Sequence, residues 1–270
     1  MRSHLIVLPR PLVLLVGFLL LMAASGRAAQ SQPAVHMQQP WSTLLRHHVT
    51  PDGRLDYEGL LEEEDVLYNY LQSLRKIKPA EQGWTADDTK AFWLNTYNAA
   101  ATNLVLENYP IASINDIRVK VVGGYKSPWE APVVNVGGQS YSLNQIEREI
   151  LRDQYQDARV HFALMYGAAS QAPILAEAYD GSRLSQQLDE QTRRFLNDSA
   201  FNQLTPQHAQ VSALFQSYAA EFGSEAQIID FINRYVSVPV LPTANVEYLS
   251  FSWALNNRTG LGTSQALGRH

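Results

Sequence analysis

The sequence predicts a helix-rich α+β single domain with a small, mostly antiparallel sheet. Three observations carry that expectation. A long apolar stretch over residues 87–108 is bounded by helix start and stop signals. Strand-like runs are few and short, confined to 133–141, 160–166 and 246–253, too few for a doubly wound parallel sheet. No internal repeat, heptad pattern or low-complexity block organises the remainder.

The elements follow in order. Arg2, His4 and Arg10 precede an apolar run from Leu12 to Ala24 and a small-residue exit ending at Ala28. That combination reads as a secretory signal peptide over residues 1–28. The run falls short of the roughly 20 apolar residues that a bilayer-crossing helix needs. An uncleaved anchor is the alternative; a lipid-anchored cysteine is excluded because the chain has none. Residues 29–39 are expected to be a flexible leader, 40–257 the folded domain and 258–270 a disordered tail.

Pro40 suits the first turn of a helix, in which Trp41, Leu44, Leu45 and His48 share one face. Thr50-Pro51-Asp52-Gly53 is a turn signal, since proline presets φ and glycine accepts positive φ. A second helix is expected over Leu60–Lys76, with Val66, Leu67, Tyr70, Leu71 and Leu74 at helical spacing. Thr85 and Asp88 resemble a capping box opening the long helix, and Pro110 bars its continuation. Ser113 and Asp116 cap a further short turn. Gly137-Gly138 supports the positive φ values of a two-residue hairpin turn between 133–136 and 139–141.

Ser142 and Gln145 then open a helix through Glu147, Ile150 and Leu151. The apolar run Val160–Tyr166 reads as a buried strand, although periodicity allows a buried helix. Leu184, Leu188, Thr192 and Phe195 mark another helix, with Ser182 as its cap. Helices over Val211–Phe222 and Glu225–Val236 and a closing strand over Val246–Trp253 complete the expectation.

Bulk composition fits this reading and excludes several functions. Hydrophobic residues make up 46% and charged residues 17% of the 270, enough for a sizeable core. Residues 1–28 hold three arginines and no acid, so the mature chain would carry 18 basic against 26 acidic residues, a net charge of −8. Such a surface does not favour nucleic acid, whose phosphates require clustered lysine and arginine. The absence of cysteine suits an oxidising compartment and rules out thiol nucleophiles, thiolate metal sites and iron–sulfur clusters. Export to the periplasm or the extracellular space is expected, without stable membrane insertion once the signal is cleaved.

Four segments together resemble the domain-of-unknown-function 547 (DUF547) family. They are Trp41–Leu45 with Gly53–Tyr57; Lys90-Ala91-Phe92-Trp93-Leu94-Asn95-Thr96-Tyr97-Asn98-Ala99; Leu143–Glu147 leading to Arg159–Leu164; and Val246–Leu249 with Trp253, Leu255 and Asn256. Family members typically follow the His-Phe-Ala-Leu segment with a cysteine, an Ala-Ser pair and a second cysteine before proline. Those places read Tyr166, Gly167-Ala168 and Gln171 here, with the proline at Pro173. The family's tyrosine-aspartate-tryptophan reads Phe251-Ser252-Trp253. If relatives use a cysteine with a neighbouring histidine, this chain has lost the nucleophile.

The candidate site residues come from these segments. Trp93 and Tyr97 lie four apart and Asn95 and Asn98 three apart, so each pair shares a helix face. Asparagine is unfavourable inside a helix because its amide competes for backbone groups, so both need partners. Either they form a packing network, or with Trp93, Tyr97 and Tyr166 they line a cleft that binds a peptide, a glycan or a protein. His161 is the strongest candidate for chemistry, because histidine titrates near neutral pH unaided; the competing reading is a core histidine bonded to Glu147, Arg159 or a carbonyl. Glu147 would either orient His161 or pair with Arg148 on the helix surface. Ser170, in Ala168-Ala169-Ser170-Gln171-Ala172, loosely resembles a nucleophile elbow.

The expected function is an exported binding or structural module. The alternative is a thiol-independent hydrolase or acyl-transfer enzyme with His161 as general base, Ser170 or water as nucleophile, and Asn95 or Asn98 as oxyanion donor. No cofactor is implied. Metal binding through His47 and His48 is set aside, because adjacent helix residues point in different directions and no His-Glu-x-x-His spacing occurs.

Overall fold

The structure is a computed structural model that describes residues 34–258. The expected signal peptide, and the expected tail from residue 259 onward, lie outside the described residues.

Part of the expected leader is ordered. A short helix, α1 (Ala34–Met37), leads into α2 (Gln39–His48), and Gln38 is buried where its side-chain carbonyl accepts from the Tyr70 hydroxyl. Pro40 sits in the first turn of α2, and Trp41, Leu44, Leu45 and His48 are all buried on it as expected. The helix predicted over Leu60–Lys76 is two elements, α3 (Tyr57–Leu61) and α4 (Glu64–Leu74). Asp56 caps the first by accepting from the Gly59 amide. Val66, expected on the buried face of the second, is 38% exposed, while Leu67, Tyr70, Leu71 and Leu74 are buried. Gly53 makes its turn at φ +82°, and a Cβ there would lie 2.5 Å from Cβ of Pro173. Only glycine fits that close approach.

The next helix, α5 (Ala86–Leu106), is the axis of the fold. Its capping box is complete: Asp88 N–H donates to Thr85 Oγ1 and Thr85 N–H to Asp88 Oδ2, each at 3.1 Å. Nearly every residue from Lys90 to Leu106 is buried, as a helix enclosed on all sides requires. Lys90 is neutralised by Asp157, which Arg159 also pairs. Ser113 then caps the predicted short turn at Ile114–Asp116.

Two hairpins follow. β1 (Val119–Val121) and β2 (Gly124–Lys126) pair antiparallel; the sequence reading missed them because their side chains are largely exposed and show no apolar alternation. β3 (Val134–Val136) and β4 (Gln139–Tyr141) form the expected hairpin, with Gly137 and Gly138 at φ +60° and +89°. Ser142 and Gln145 cap each other as predicted. The helix they open is π-helical over Gln145–Arg152 and ends in one α-turn, α6 (Asp153–Tyr155).

Val160–Tyr166 is buried but is not a strand. A 3-10 turn covers Ala158–Phe162, and the backbone beyond it finds its partners elsewhere. The Asn98 amide donates to the Ala163 carbonyl at 2.9 Å and accepts from the Met165 amide at 2.8 Å. A side chain of α5 thus supplies the donor and acceptor that a neighbouring strand would have offered.

The last third is a helical layer and a small sheet. α7 (Leu184–Leu196) matches expectation, but the turn before it is capped by Asp180, which accepts from Ser182; Ser182 is not the cap. Residues 203–211 form β5 (Gln203–Leu204) and β6 (His208–Val211), so the helix predicted from Val211 is reduced to α8 (Leu214–Ser217) and α9 (Ala219–Phe222). Then α10 (Glu225–Ile232), capped by Ser224 and Gln227, leads to β7 (Asn245–Tyr248), shorter than the strand predicted to Trp253. The sheet order is β5-β6-β7, antiparallel then parallel. Phe162 stacks on Phe195 and packs at a tilt against Phe215, Phe222 and Phe231, with ring centroids 4.8–6.1 Å apart, so the 3-10 turn carrying His161 is pinned by aromatic packing. Arg258, expected in the tail, is tied to Asp56. Helices and small, mostly antiparallel sheets make this an α+β fold. Among the described residues no helix is long and apolar enough to cross a membrane.

Candidate functional site

The predicted site residues separate into two groups. Asn95 is fully buried and bonds both polar groups of one residue, donating to the Tyr179 carbonyl and accepting from the Tyr179 amide. Asn98 does the same for the 163–165 segment. With the carbonyl and one N–H of each amide engaged, and both side chains bordering only an enclosed space of about 10 Å³, the two asparagines act as fastenings of the core. Trp93 packs edge-on against Tyr141, its ring centroid 5.0 Å away, and borders a different surface groove with Trp84. Ser170 accepts from the Ser252 amide at 2.8 Å and so anchors the C-terminal segment. Among the described residues no hydrogen bond joins it to His161.

His161, Tyr166 and Glu147 do converge, through two residues that the sequence reading did not single out. His161 has no solvent exposure. Its Nε2 lies 2.9 Å from Glu221 Oε2 and its Nδ1 lies 3.3 Å from the Tyr166 hydroxyl. The Tyr218 ring covers its face, nearly parallel, with centroids 3.5 Å apart. The Tyr218 hydroxyl in turn stands 3.0 Å from that of Tyr166 and 2.8 Å from Glu147 Oε1. Tyr166, Glu221 and Tyr218, not Glu147 or Arg159, are therefore what the His161 ring meets. Arg152 completes the cluster, pairing with Glu221 and stacking its guanidinium 5.3 Å from the Tyr218 ring centre.

The spacing Tyr218-x-x-Glu221 was a usable signal, because residues three apart on a helix share a face. The direct neighbours of His161 lie five and some sixty residues away, beyond any local pattern.

Electrostatics set the protonation of this chain. Burial pushes the Tyr166 and Tyr218 hydroxyls well above the ordinary tyrosine range, and the Glu147 carboxylate adds to the effect. Both phenols are thus protonated donors at neutral pH. Burial alone would raise the Glu221 carboxyl, but the His161 hydrogen bond and the neighbouring Arg152 guanidinium hold it below its ordinary value. Tyr218 can donate to Glu147 or to Tyr166, and Tyr166 to Tyr218 or to His161 Nδ1. The five groups Glu221–His161–Tyr166–Tyr218–Glu147 form a continuous proton-ordering chain with rotatable hydroxyls in its middle. Tyr97 lies beside it, its ring edge-on to Tyr166 with centroids 6.4 Å apart. Its buried hydroxyl has no hydrogen-bond partner.

The Glu147 end of the chain opens on an open cleft of about 510 Å³, lined by Tyr166, Tyr218, Glu147, Arg152, Trp129 and Trp253. Trp129 and Trp253 meet edge-to-face at 5.7 Å, and the Trp129 indole N–H is held by Asn115. Glu221 borders a second open groove of about 720 Å³. The arrangement can bind a ligand between indole rings and charged groups, and can pass a proton along hydroxyls.

An α+β domain with a thiol-free cleft and a buried histidine behind its tyrosines is the class that fold and site define. Residues 81–196 match the family described as a protein of unknown function, DUF547, a segment that resembles that family over somewhat less than half of the 270 residues. Two of the four signature segments, 90–99 and 143–164, fall within the match; those near residues 41–57 and 246–256 lie outside it. No curated protein and no solved structure matches the chain.

Proposed function

We propose that this chain is an exported binding domain that keeps a DUF547-type cleft without thiol chemistry, its ligand being a peptide, a glycan or a segment of another protein. One observation carries the reading. Tyr166 stands where the family resemblance puts a cysteine, and its phenol fills the space in front of His161, both of whose ring nitrogens are engaged. The cleft mouth combines two indole rings with carboxylates and guanidiniums, a lining that suits a ligand with one apolar face and several hydrogen-bonding groups. Export rests on the N-terminal pattern alone.

The test uses the mature chain, residues 29–270, and tryptophan emission. Titration with a panel of short peptides and oligosaccharides should give a saturable shift with one chemical class, lost in Trp253→Ala. If no panel member changes the emission of folded protein at millimolar concentration, the binding reading fails.

One observation favours the second reading, a thiol-independent hydrolase or acyl-transfer enzyme. A histidine backed by a carboxylate, as His161 is by Glu221, is the arrangement of an oriented general base. In that case the base acts on water or substrate through Tyr166 or Tyr218, not through Ser170. Equal rates of chromogenic ester hydrolysis by wild type and His161→Gln would remove it.

A further inference from the structure

We propose that His47, His48 and Glu63 form a binding site for a divalent transition-metal cation, zinc foremost. His47 and His48 end α2, and Glu63 immediately precedes α4. Adjacent helix positions point about 100° apart, which argues against a shared target. The two rings overcome this by using different nitrogens: His47 presents its near Nδ1 and His48 its far Nε2 to the same carboxylate oxygen. Those distances are 3.2 and 3.0 Å to Glu63 Oε1, and the rings lie at 75° to each other with centroids 6.1 Å apart. All three ligand atoms fall within 4.8 Å of one another.

That spacing suits a metal. Zinc bonds of about 2.0–2.1 Å in tetrahedral geometry separate neighbouring ligand atoms by roughly 3.3 Å. The two nitrogen–oxygen separations are already within a few tenths of this. A small rotation of the exposed His47 ring would bring its nitrogen toward that of His48. His47 is 54% exposed and Glu63 35% exposed, whereas His48 is only 10% exposed. One ligand is therefore fixed by burial, and a fourth coordination position is left to solvent.

The chemistry agrees. Hydrogen bonds from His47 and His48 hold the Glu63 carboxyl below its ordinary value, so the oxygen is an anionic ligand at neutral pH. Two imidazoles and a carboxylate form a borderline nitrogen–oxygen set that favours zinc, copper(II) and nickel(II) over magnesium or calcium. Each imidazole must offer the metal a nitrogen without a proton, its remaining proton moving to the other ring nitrogen, so binding weakens in acid. The bound ion would clasp the end of α2 to the start of α4.

The test is calorimetric titration of tag-free, chelator-treated mature protein with zinc chloride, beside His47→Gln and Glu63→Gln. Both substitutions are at partly exposed side chains that leave the core intact. Expected are one ion per chain with a dissociation constant of micromolar order, at least a tenfold loss in each variant, a higher melting temperature with zinc, and tetrahedral absorption bands when cobalt(II) is substituted. Absence of one-to-one binding would overturn the proposal. So would undiminished binding in the two variants, which would move the ion to other histidines.

Discussion

Asn98→Ala tests the assignment of the helix asparagines as fastenings of the core. The substitution removes a donor to the Ala163 carbonyl and an acceptor from the Met165 amide, both buried. Each backbone group left unsatisfied costs about 1–3 kcal/mol. Water entry at one of them would offset part of the loss. Higher intrinsic helix propensity of alanine returns about 0.5 kcal/mol. The net expectation is a destabilisation of about 2–4 kcal/mol. Asn103→Ala, on the same helix, breaks only an exposed bond to Glu107 and should cost under about 0.5 kcal/mol. Urea unfolding of the mature chain, followed by tryptophan emission, measures both. A loss below 1 kcal/mol for Asn98→Ala would mean that the 163–165 backbone is held by something else. The stated reason for its irregular, non-strand conformation would then fall.

Two further outcomes follow from the same geometry. Bonds and charges from Arg159 and Lys90 outweigh the burial of Asp157 and lower its pKa from 3.8 to about 2. A depressed carboxylate contributes stability that is present above its unfolded value and lost as pH falls toward 2, here at most about 2 kcal/mol. Asp157→Asn should therefore unfold more easily at pH 7 and show a flatter acid limb between pH 4 and 2; an unchanged limb would contradict the pairing. Tyr218 covers His161, so diethylpyrocarbonate should modify the exposed His36 and His47 readily and His161 hardly at all, as mass spectrometry of tryptic peptides can show. Tyr218→Ala should raise His161 modification at least tenfold. Comparable rates at His161 and His47 in wild type would refute the buried placement.

Patterns local to the chain settled much of this protein's structure before any contact was known. The capping box at Thr85, the Gly137-Gly138 hairpin, the Ser142–Gln145 pair and the apolar face of Trp41, Leu44 and Leu45 each involve residues at most seven apart. Their physics of orphan amides, positive φ and helical periodicity is complete within one element. The DUF547 likeness, and the missing cysteine with the chemistry it excludes, were legible for the same reason: they are statements about which residues occur in which order.

What the chain folded upon itself to decide was which of its polar groups meet. Val160–Tyr166 has the composition of a strand, yet its backbone bonds to an asparagine some 65 residues earlier. Asn95 and Asn98 look like cleft residues until Tyr179, Ala163 and Met165 take up their amides. His161 gains Glu221 and Tyr218 from sixty residues downstream, while Ser170, only nine residues away, goes to Ser252. His47 and His48 diverge along α2 and converge on Glu63 only because the next helices turn back. A hydrogen bond depends on separation in space within about 3 Å, and sequence distance constrains that separation only inside a single element.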